Sequence, residues 1–161
     1  MSLSTQSVVI KSLMESSGVR FGTSGARGLV ADMNNEVCFA YTSAFLKAIS
    51  VISGRVALAI DLRPSSPEIA AACAAAIRYA GLKVDYCGAI STPALAAYAQ
   101  AQGIPGIMVT GSHIPFDRNG IKFYRASGEI TKADEASISG AVVDNPASGL
   151  CAELPAVNPL A

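Results

Sequence analysis

Residues Thr110–Lys122 read T-G-S-H-I-P-F-D-R-N-G-I-K, and this stretch decides how the rest of the chain is interpreted. The apolar residues 106–109 before it and 121–124 at its end are each typical of a short buried strand. Between them lie residues that favour turns, namely Gly111, Pro115, Asn119 and Gly120. The stretch therefore predicts a loop at the end of a strand that presents Ser112 and His113, a typical placement for functional side chains.

The loop has two interpretations from its spacing alone. It is either a polar connection with one solvated histidine, or a nucleophilic or phosphate-carrying serine surrounded by basic groups. A serine hydrolase is disfavoured, because the chain has no G-x-S-x-G turn and no second histidine besides His113. Neighbouring side chains of an extended loop also usually point apart, which argues against a Ser112–His113 pair.

A second stretch, Phe21–Gly28, reads F-G-T-S-G-A-R-G. Its three glycines permit positive φ angles and a close approach of the backbone to a ligand. Arg27 is its only charged residue, and it either lies in solvent or clamps a phosphate or carboxylate. The stretch is neither a P-loop nor a G-x-G-x-x-G motif.

The composition narrows the class of protein. The 161 residues suit one domain, and 51% of them are hydrophobic, which supports a sizeable core. Twelve basic and twelve acidic residues balance, so a nucleic-acid partner is disfavoured, and no apolar run is long enough to span a membrane. The four cysteines form no C-x-x-C pair, which favours reduced core thiols in a cytoplasmic protein: Cys38, Cys73, Cys87 and Cys151.

Apolar runs alternate with helical patterns along the middle of the chain. We predict strands at 56–60, 83–87 and 106–109. We predict a first helix from Asn34 or Asn35 to about Ser53 and a last helix from Thr131 to about Ala141. Between them, one helix runs from an N-cap at Ser66 to Ala80 and another from an N-cap at Thr92 to Gln102. Repeated β-α-β units imply a three-layer α/β/α domain with a mostly parallel, mixed sheet. Residues 1–145 are predicted to form this domain, and residues 146–161 a linker or frayed tail.

Ligands of such sheets bind beyond the carboxyl ends of the strands, where the loops containing Arg63 and Ser112 both lie. Arg63 has two interpretations at this point. It either makes a simple ion pair with Asp61 or faces the ligand-binding cleft.

Taken together, the two stretches resemble the α-D-phosphohexomutase family, which includes phosphomannomutase and phosphoglucomutase. The signature F-G-T-S-G-x-R-G is matched in full. The serine loop T-A-S-H-N-P followed by N-G-x-K is matched except that Gly111 replaces alanine and Ile114 replaces asparagine. The resemblance covers roughly residues 15–145, which corresponds to the first of the four domains of that family.

The resemblance implies a reaction and a set of roles. A phosphoryl group moves between the 6- and 1-hydroxyls of a hexose through a phosphoserine at Ser112 and a hexose 1,6-bisphosphate, which also acts as activator. Mg²⁺ would bind the phosphate on Ser112, with its other ligands in a second domain. Arg27 would orient the phosphate, Lys122 would transfer a proton and His113 would position the loop or contact phosphate. The implied phosphate- or substrate-binding residues are Thr23, Ser24, Arg63 and Asn119.

We therefore expect the catalytic-serine domain of a longer mutase that acts on a phosphosugar, with the remaining mutase domains as its partners and little activity alone. Mannose and glucose phosphates both remain open, with a mild preference for mannose. The alternative is a stand-alone, non-enzymatic module of the same fold that binds a phosphorylated ligand or a partner.

Overall fold

Strands and helices alternate through the part of the chain that the structure describes. The computed structural model describes residues 5–22, 24–51, 54–146 and 153–158. In chain order the elements are β1 (Thr5–Val9), α1 (Ile10–Ser17), β2 (Arg20–Gly22), β3 (Gly25–Leu29), α2 (Asn35–Ala48), β4 (Arg55–Ile60), α3 (Ser66–Tyr79), β5 (Lys83–Ala89), α4 (Thr92–Gln102), β6 (Gly106–Val109), β7 (Arg118–Arg125), β8 (Gly128–Glu129), α5 (Lys132–Ser139) and β9 (Val142–Pro146).

The main sheet has the strand order β2-β3-β7-β6-β4-β5, with β8 paired to β7. Strand β4 runs parallel to both β5 and β6, as the apolar runs predicted. Strand β7 runs antiparallel to both β6 and β3, so parallel pairing is confined to the β6-β4-β5 end. The prediction of a three-layer α/β fold with a mixed sheet is confirmed. The sheet is not mostly parallel as expected, because four of its six described strand pairs are antiparallel.

Alternate residues of the central strands face two separate cores. Val56, Leu58 and Ile60 of β4 join the larger core, which also contains residues of α2 and α3. Ala57 and Ala59 join the smaller core beneath α4. Because successive side chains of a strand point to opposite faces, this division gives the helix–sheet–helix layering.

Two of the predicted helix starts are wrong by one residue. Ser65, not Ser66, is the N-cap of α3, without a side-chain capping bond, and the Ser66 hydroxyl donates to Asp61 Oδ1. Ser91, not Thr92, caps α4 and accepts a hydrogen bond from the amide of Ala94. The predicted caps at Asn34 and Thr131 are confirmed, and Thr131 forms a complete capping box with Asp134.

The predicted length of α2 is also wrong. The helix ends at Ala48, with Ile49 as its C-cap, rather than near Ser53. Ser50 then adopts a left-handed backbone conformation with φ of 56°, which a continuing helix cannot include. Residues 52–53 lie outside the described part of the chain.

Several short strands were not predicted. The glycine-rich stretch 21–28 forms the hairpin β2–β3 rather than a surface turn, and β3 completes its pairing through β7. Strand β9 lies in the region where no strong element was expected, and it pairs with β1 as a separate two-stranded sheet. The predicted domain boundary at residue 145 falls within β9, and residues 147–152 of the predicted linker lie outside the described residues.

Three of the cysteines are buried and free, as the sequence indicated. Burial raises the pKa of the Cys73 thiol to about 12 and that of Cys87 to about 11, and it also raises the pKa of Cys38. Cys151 lies outside the described residues. Within the described ranges, no helix has the length and apolar character needed to cross a membrane.

Candidate active site

Ser112 lies in the loop that joins β6 to β7, and its side chain is exposed. Its backbone is in the left-handed region, with φ of 55°, which is uncommon for a residue other than glycine. The amide of Ser112 donates to Thr110 Oγ1 at 3.0 Å, and the amide of Thr110 donates to the Gly120 carbonyl at 3.0 Å. The serine hydroxyl is therefore presented at a fixed bend at the carboxyl end of β6.

The side chains of Ser112 and His113 lie close together, contrary to the expectation that they would point apart. His113 Nε2 is 3.3 Å from Ser112 Oγ, and both residues are exposed. The left-handed bend at Ser112 explains the approach, because it breaks the alternation of an extended loop. Among the described residues no carboxylate makes an ion pair or hydrogen bond with His113, so a hydrolase triad is not completed there.

A basic sheet face begins beside this loop. The pairing of Arg27 with Gly120 and of Leu29 with Arg118 places Arg27 and Arg118 on the same face as Lys122. The cross-strand pair Arg20–Arg27 adds a fourth cation. We refer to Arg20, Arg27, Arg118 and Lys122 as the basic sheet face. The opposite face of β7 carries Ile121 and Phe123 and is buried in the larger core.

The basic sheet face lies two strands away from Thr110, the residue at which the serine loop begins. Gly120 separates Arg27 from Thr110 across the sheet, so these two Cα atoms are two strand spacings, about 10 Å, apart. An added Cβ at Gly120 would lie 3.2 Å from Arg27 Cγ and 3.1 Å from the Thr110 carbonyl oxygen. The absence of a side chain at Gly120 keeps the surface between the arginine and the serine loop flat.

Arg63 contacts the serine loop from the end of β4. Its guanidinium is largely buried and donates to backbone carbonyls of the loop, with Nη1 at 2.7 Å from the Pro115 oxygen and 2.9 Å from the Arg118 oxygen. Arg63 Nε is also 3.5 Å from Asp61 Oδ2. Of the two sequence interpretations, the ion pair with Asp61 is present, and the guanidinium is directed at the backbone of the serine loop.

Asp61 ties the end of β4 to the start of the loop. Its Oδ2 accepts from the Gly111 amide at 3.0 Å, and its Oδ1 accepts from the Arg63 amide at 3.0 Å and from Ser66 Oγ. Burial raises the pKa of this carboxyl, but the hydrogen bonds from Ser66, Arg63, Gly111 and Thr110 outweigh burial and place the pKa below its ordinary value. Asp61 is therefore held as a carboxylate.

Two other predicted binding residues are directed into the protein. Asn119 is fully buried, where its Nδ2 donates to Ser65 Oγ and Ser66 Oγ and its Oδ1 accepts from the Gly120 amide. Ser24 is also buried, at the turn of the β2–β3 hairpin, with φ of 66°. Thr23, the third predicted residue, lies outside the described part of the chain.

The turn at Ser24 is held by contacts that the sequence did not suggest. The amide of Ser24 donates to Glu135 Oε1 of α5 at 3.3 Å, and its carbonyl accepts from the Phe123 amide at 3.0 Å. No motif and no feature of the composition singles out Glu135, which lies 111 residues after Ser24 in the chain. Asp61 could have been found as the acidic residue directly after a predicted strand.

A magnesium site is not complete in these residues. The described residues contain no group of three or more His, Cys, Asp or Glu side chains placed to hold a metal ion. Asp61, the carboxylate nearest to the loop in the hydrogen-bond network, is already occupied by three protein donors. The described residues could contribute one ligand, a phosphate oxygen on Ser112.

The family model described as phosphoglucomutase/phosphomannomutase, alpha/beta/alpha domain I, matches residues 18–147. The chain belongs to this family. The matched range includes both Phe21–Gly28 and Thr110–Lys122, and all four residues of the basic sheet face.

Curated relatives and solved structures agree with this assignment. The chain is similar to a phosphomannomutase from Salmonella muenchen, with 56% identity over 78% of this chain and 27% of that protein. It is 38% identical to a phosphoglucosamine mutase from Thermosipho africanus, over 63% of this chain and 23% of that protein. A solved structure from Thermus thermophilus superposes with a TM-score of 0.71 and 26% identity, over 86% of this chain and 32% of that chain. The domain I chain thus spans about a quarter of the length of the curated relatives it matches.

Proposed function

We propose that this chain is the catalytic-serine domain of a phosphohexomutase, which interconverts hexose 6-phosphate and hexose 1-phosphate through a phosphoserine at Ser112. The observation that supports it is the position of an exposed serine hydroxyl, at a left-handed bend, beside the basic sheet face. Phosphoryl transfer depends mainly on positioning and on cations near the phosphate oxygens, and this arrangement supplies both.

The proposed step begins with a hexose 1,6-bisphosphate. A bond forms between Ser112 Oγ and phosphorus while the bond from phosphorus to the sugar oxygen breaks, and the hydroxyl proton passes to that oxygen through Lys122. Arg27 holds the phosphate oxygens and offsets the charge that develops on them. His113, 3.3 Å from Ser112 Oγ, contacts the same phosphate. Reversal at the other hydroxyl of the sugar completes the interconversion.

Mg²⁺ would offset the charge of the phosphoserine, with Ser112 as the contribution of this chain and its other ligands outside the described residues. We propose a cytoplasmic location, where the three buried thiols stay reduced. The identities of 56% and 48% to phosphomannomutases favour a mannose phosphate over the glucosamine phosphate of the 38% relative.

The test uses a chimera, because the chain alone is expected to be nearly inactive. The chain replaces the matching residues of the Salmonella muenchen phosphomannomutase. The chimera is then incubated with glucose 1,6-bisphosphate and examined by peptide mass spectrometry. We expect one added phosphate on Ser112 and conversion of mannose 6-phosphate to mannose 1-phosphate. Ser112→Ala should abolish both, whereas the exposed control Ser127→Ala should leave both unchanged.

The second candidate function is a non-enzymatic module that binds a phosphorylated ligand. A folded chimera without phosphate on Ser112 and without mutase activity would favour that module. In that case the chain itself should bind hexose bisphosphate in a calorimetric titration, and Arg27→Ala should weaken this binding.

A further inference from the structure

The Arg63 guanidinium donates hydrogen bonds to backbone carbonyls along the serine loop, from Ser112 to Arg118. Nη1 donates to the carbonyls of Pro115 and Arg118, and Nη2 donates to those of Ile114 and Ser112, the last at 3.4 Å. Only 9% of the residue is exposed. A single side chain of the β4–α3 connection therefore contacts the loop before, within and after its tip.

These bonds leave Arg63 few donors for a ligand. An arginine has four terminal N–H groups and one Nε–H, and the four carbonyls correspond to the four terminal groups. The Nε atom faces Asp61 at 3.5 Å. The Phe116 ring, with its centroid 5.0 Å from Arg63 Cζ, covers the guanidinium. This arrangement is that of a structural clamp, and differs from the phosphate contact that the resemblance implied for Arg63.

Gly111 provides the space that the clamp requires. A Cβ atom built on Gly111 would lie 2.1 Å from Arg63 Cζ and 2.2 Å from its Nε, so a side chain there would require the guanidinium to shift. The Gly111 amide is meanwhile fixed by Asp61 Oδ2 at 3.0 Å. Gly111 therefore leaves open the space in which the Arg63 guanidinium lies.

We propose that Arg63 is the positioning residue of the serine loop, which holds Ser112 in its left-handed conformation and aims its hydroxyl at the transferred phosphoryl group. The inference rests on the proposed function for the transfer, whereas the clamp itself is defined by the loop geometry. A left-handed non-glycine residue persists only where its surroundings hold it. Four hydrogen bonds to the carbonyls of residues 112–118 supply that restraint.

The first experiment measures the clamp without any reaction. Amide hydrogen exchange is followed by NMR in the chain and in its Arg63→Lys variant, since an ammonium cannot reproduce the planar fork of arginine. Exchange at Gly111, Ile114 and Arg118, whose amides are bonded within the loop network, should accelerate at least tenfold. Arg55→Lys, at the other end of β4, is the matched control and should leave these amides unchanged. Unchanged exchange in Arg63→Lys would overturn the proposal.

The second experiment measures positioning in the chimera. The rate of Ser112 phosphorylation should fall at least tenfold in Arg63→Ala and in Arg63→Lys. Methylguanidinium should restore both the rate and the exchange protection in Arg63→Ala, and methylammonium should not. An unphosphorylated parent chimera would overturn the proposed function. A parent that is phosphorylated, with variants at the same rate, would overturn the role of Arg63 alone.

Discussion

Ser112 combines a functional position with an unfavourable backbone conformation. Its φ of 55° is one that glycine adopts freely and that other residues adopt at a cost of roughly 1 kcal/mol. Ser112→Gly should therefore be more stable than Ser112→Ala by about 1 kcal/mol, although both lack the hydroxyl. Urea denaturation of the two variants measures the difference. At Ser127, which is exposed and is not among the positive-φ residues, the glycine variant should show no such advantage.

The pairing of β3 with β7 depends on a glycine. A Cβ atom at Gly25 would lie 1.9 Å from the carbonyl oxygen of Ile121, and backbone atoms of a central strand cannot move aside cheaply. Gly25→Ala should lower the free energy of unfolding by about 3 kcal/mol or more, since overpacking of this kind costs roughly 1–3 kcal/mol even in side-chain cores. Gly140→Ala, whose nearest contact is Ala136 at 3.3 Å, should stay within about 1 kcal/mol of the parent in the same denaturation experiment.

Helix α5 begins with a carboxylate that makes the domain sensitive to acid. Bonds from Arg125, with further contributions from the Thr131 amide and hydroxyl, hold the pKa of Asp134 well below its ordinary value of 3.8, against a burial effect that raises it. A lowered pKa in the folded state means that the stabilisation is present above the ordinary value and is lost as the pH falls below it. Unfolding free energy should thus decrease from about pH 5 towards pH 2.

Asp134→Asn is the variant that checks this pH dependence. Its unfolding free energy should be lower than that of the parent at pH 7, and the two curves should converge as the pH approaches 2. Asp144→Asn, at an exposed carboxylate of β9, should keep the full pH dependence of the parent. Parallel curves for the parent and Asp134→Asn would show that Asp134 does not carry the effect.

Elements that are defined by their own residues were predictable, and those defined by a distant partner were not. Strands β4 and β6 are almost entirely apolar, and β5 is a short run rich in strand-forming residues. Helices α3 and α4 begin with serine or threonine followed by proline, so local composition identifies all five elements. The hairpin β2–β3 is short and glycine-rich, and β9 is recognisable only through its pairing with β1.

The candidate site divides in the same way. The motifs identified Ser112 and Arg27 as candidates, because the types and spacing of neighbouring residues are visible in one dimension. Bonds from a guanidinium to carbonyls leave no trace in the sequence, since every residue has a carbonyl. The clamp at Arg63 and the burial of Asn119 therefore required the three-dimensional structure.

At the scale of the whole molecule, the two ends of the described chain are both attached to the domain. Strand β1 pairs with β9, which joins residues 5–9 to residues 142–146. Residues 153–158 then lie against the outer side of β5, where the Asn158 amide donates to the Tyr86 carbonyl at 2.7 Å. Arg78 Nη1 also donates to the Glu153 carbonyl at 2.7 Å. The segment covers part of a sheet edge that would otherwise be open to pairing with another chain.

Asn158 fastens this segment to a buried carboxylate. Its Nδ2 donates at 2.6 Å to Oδ1 of Asp85, whose other oxygen accepts from Arg55 and from the hydroxyl of Tyr98. Asn158→Ala should lower the free energy of unfolding by about 1–3 kcal/mol, because it removes a partner from a buried charged acceptor. Asn158→Asp should lower it further, since it places a second negative charge beside Asp85. Thermal denaturation of both variants gives the order. If aspartate were tolerated as well as alanine, residues 153–158 would not be held against β5 in solution, and the edge strand would be exposed.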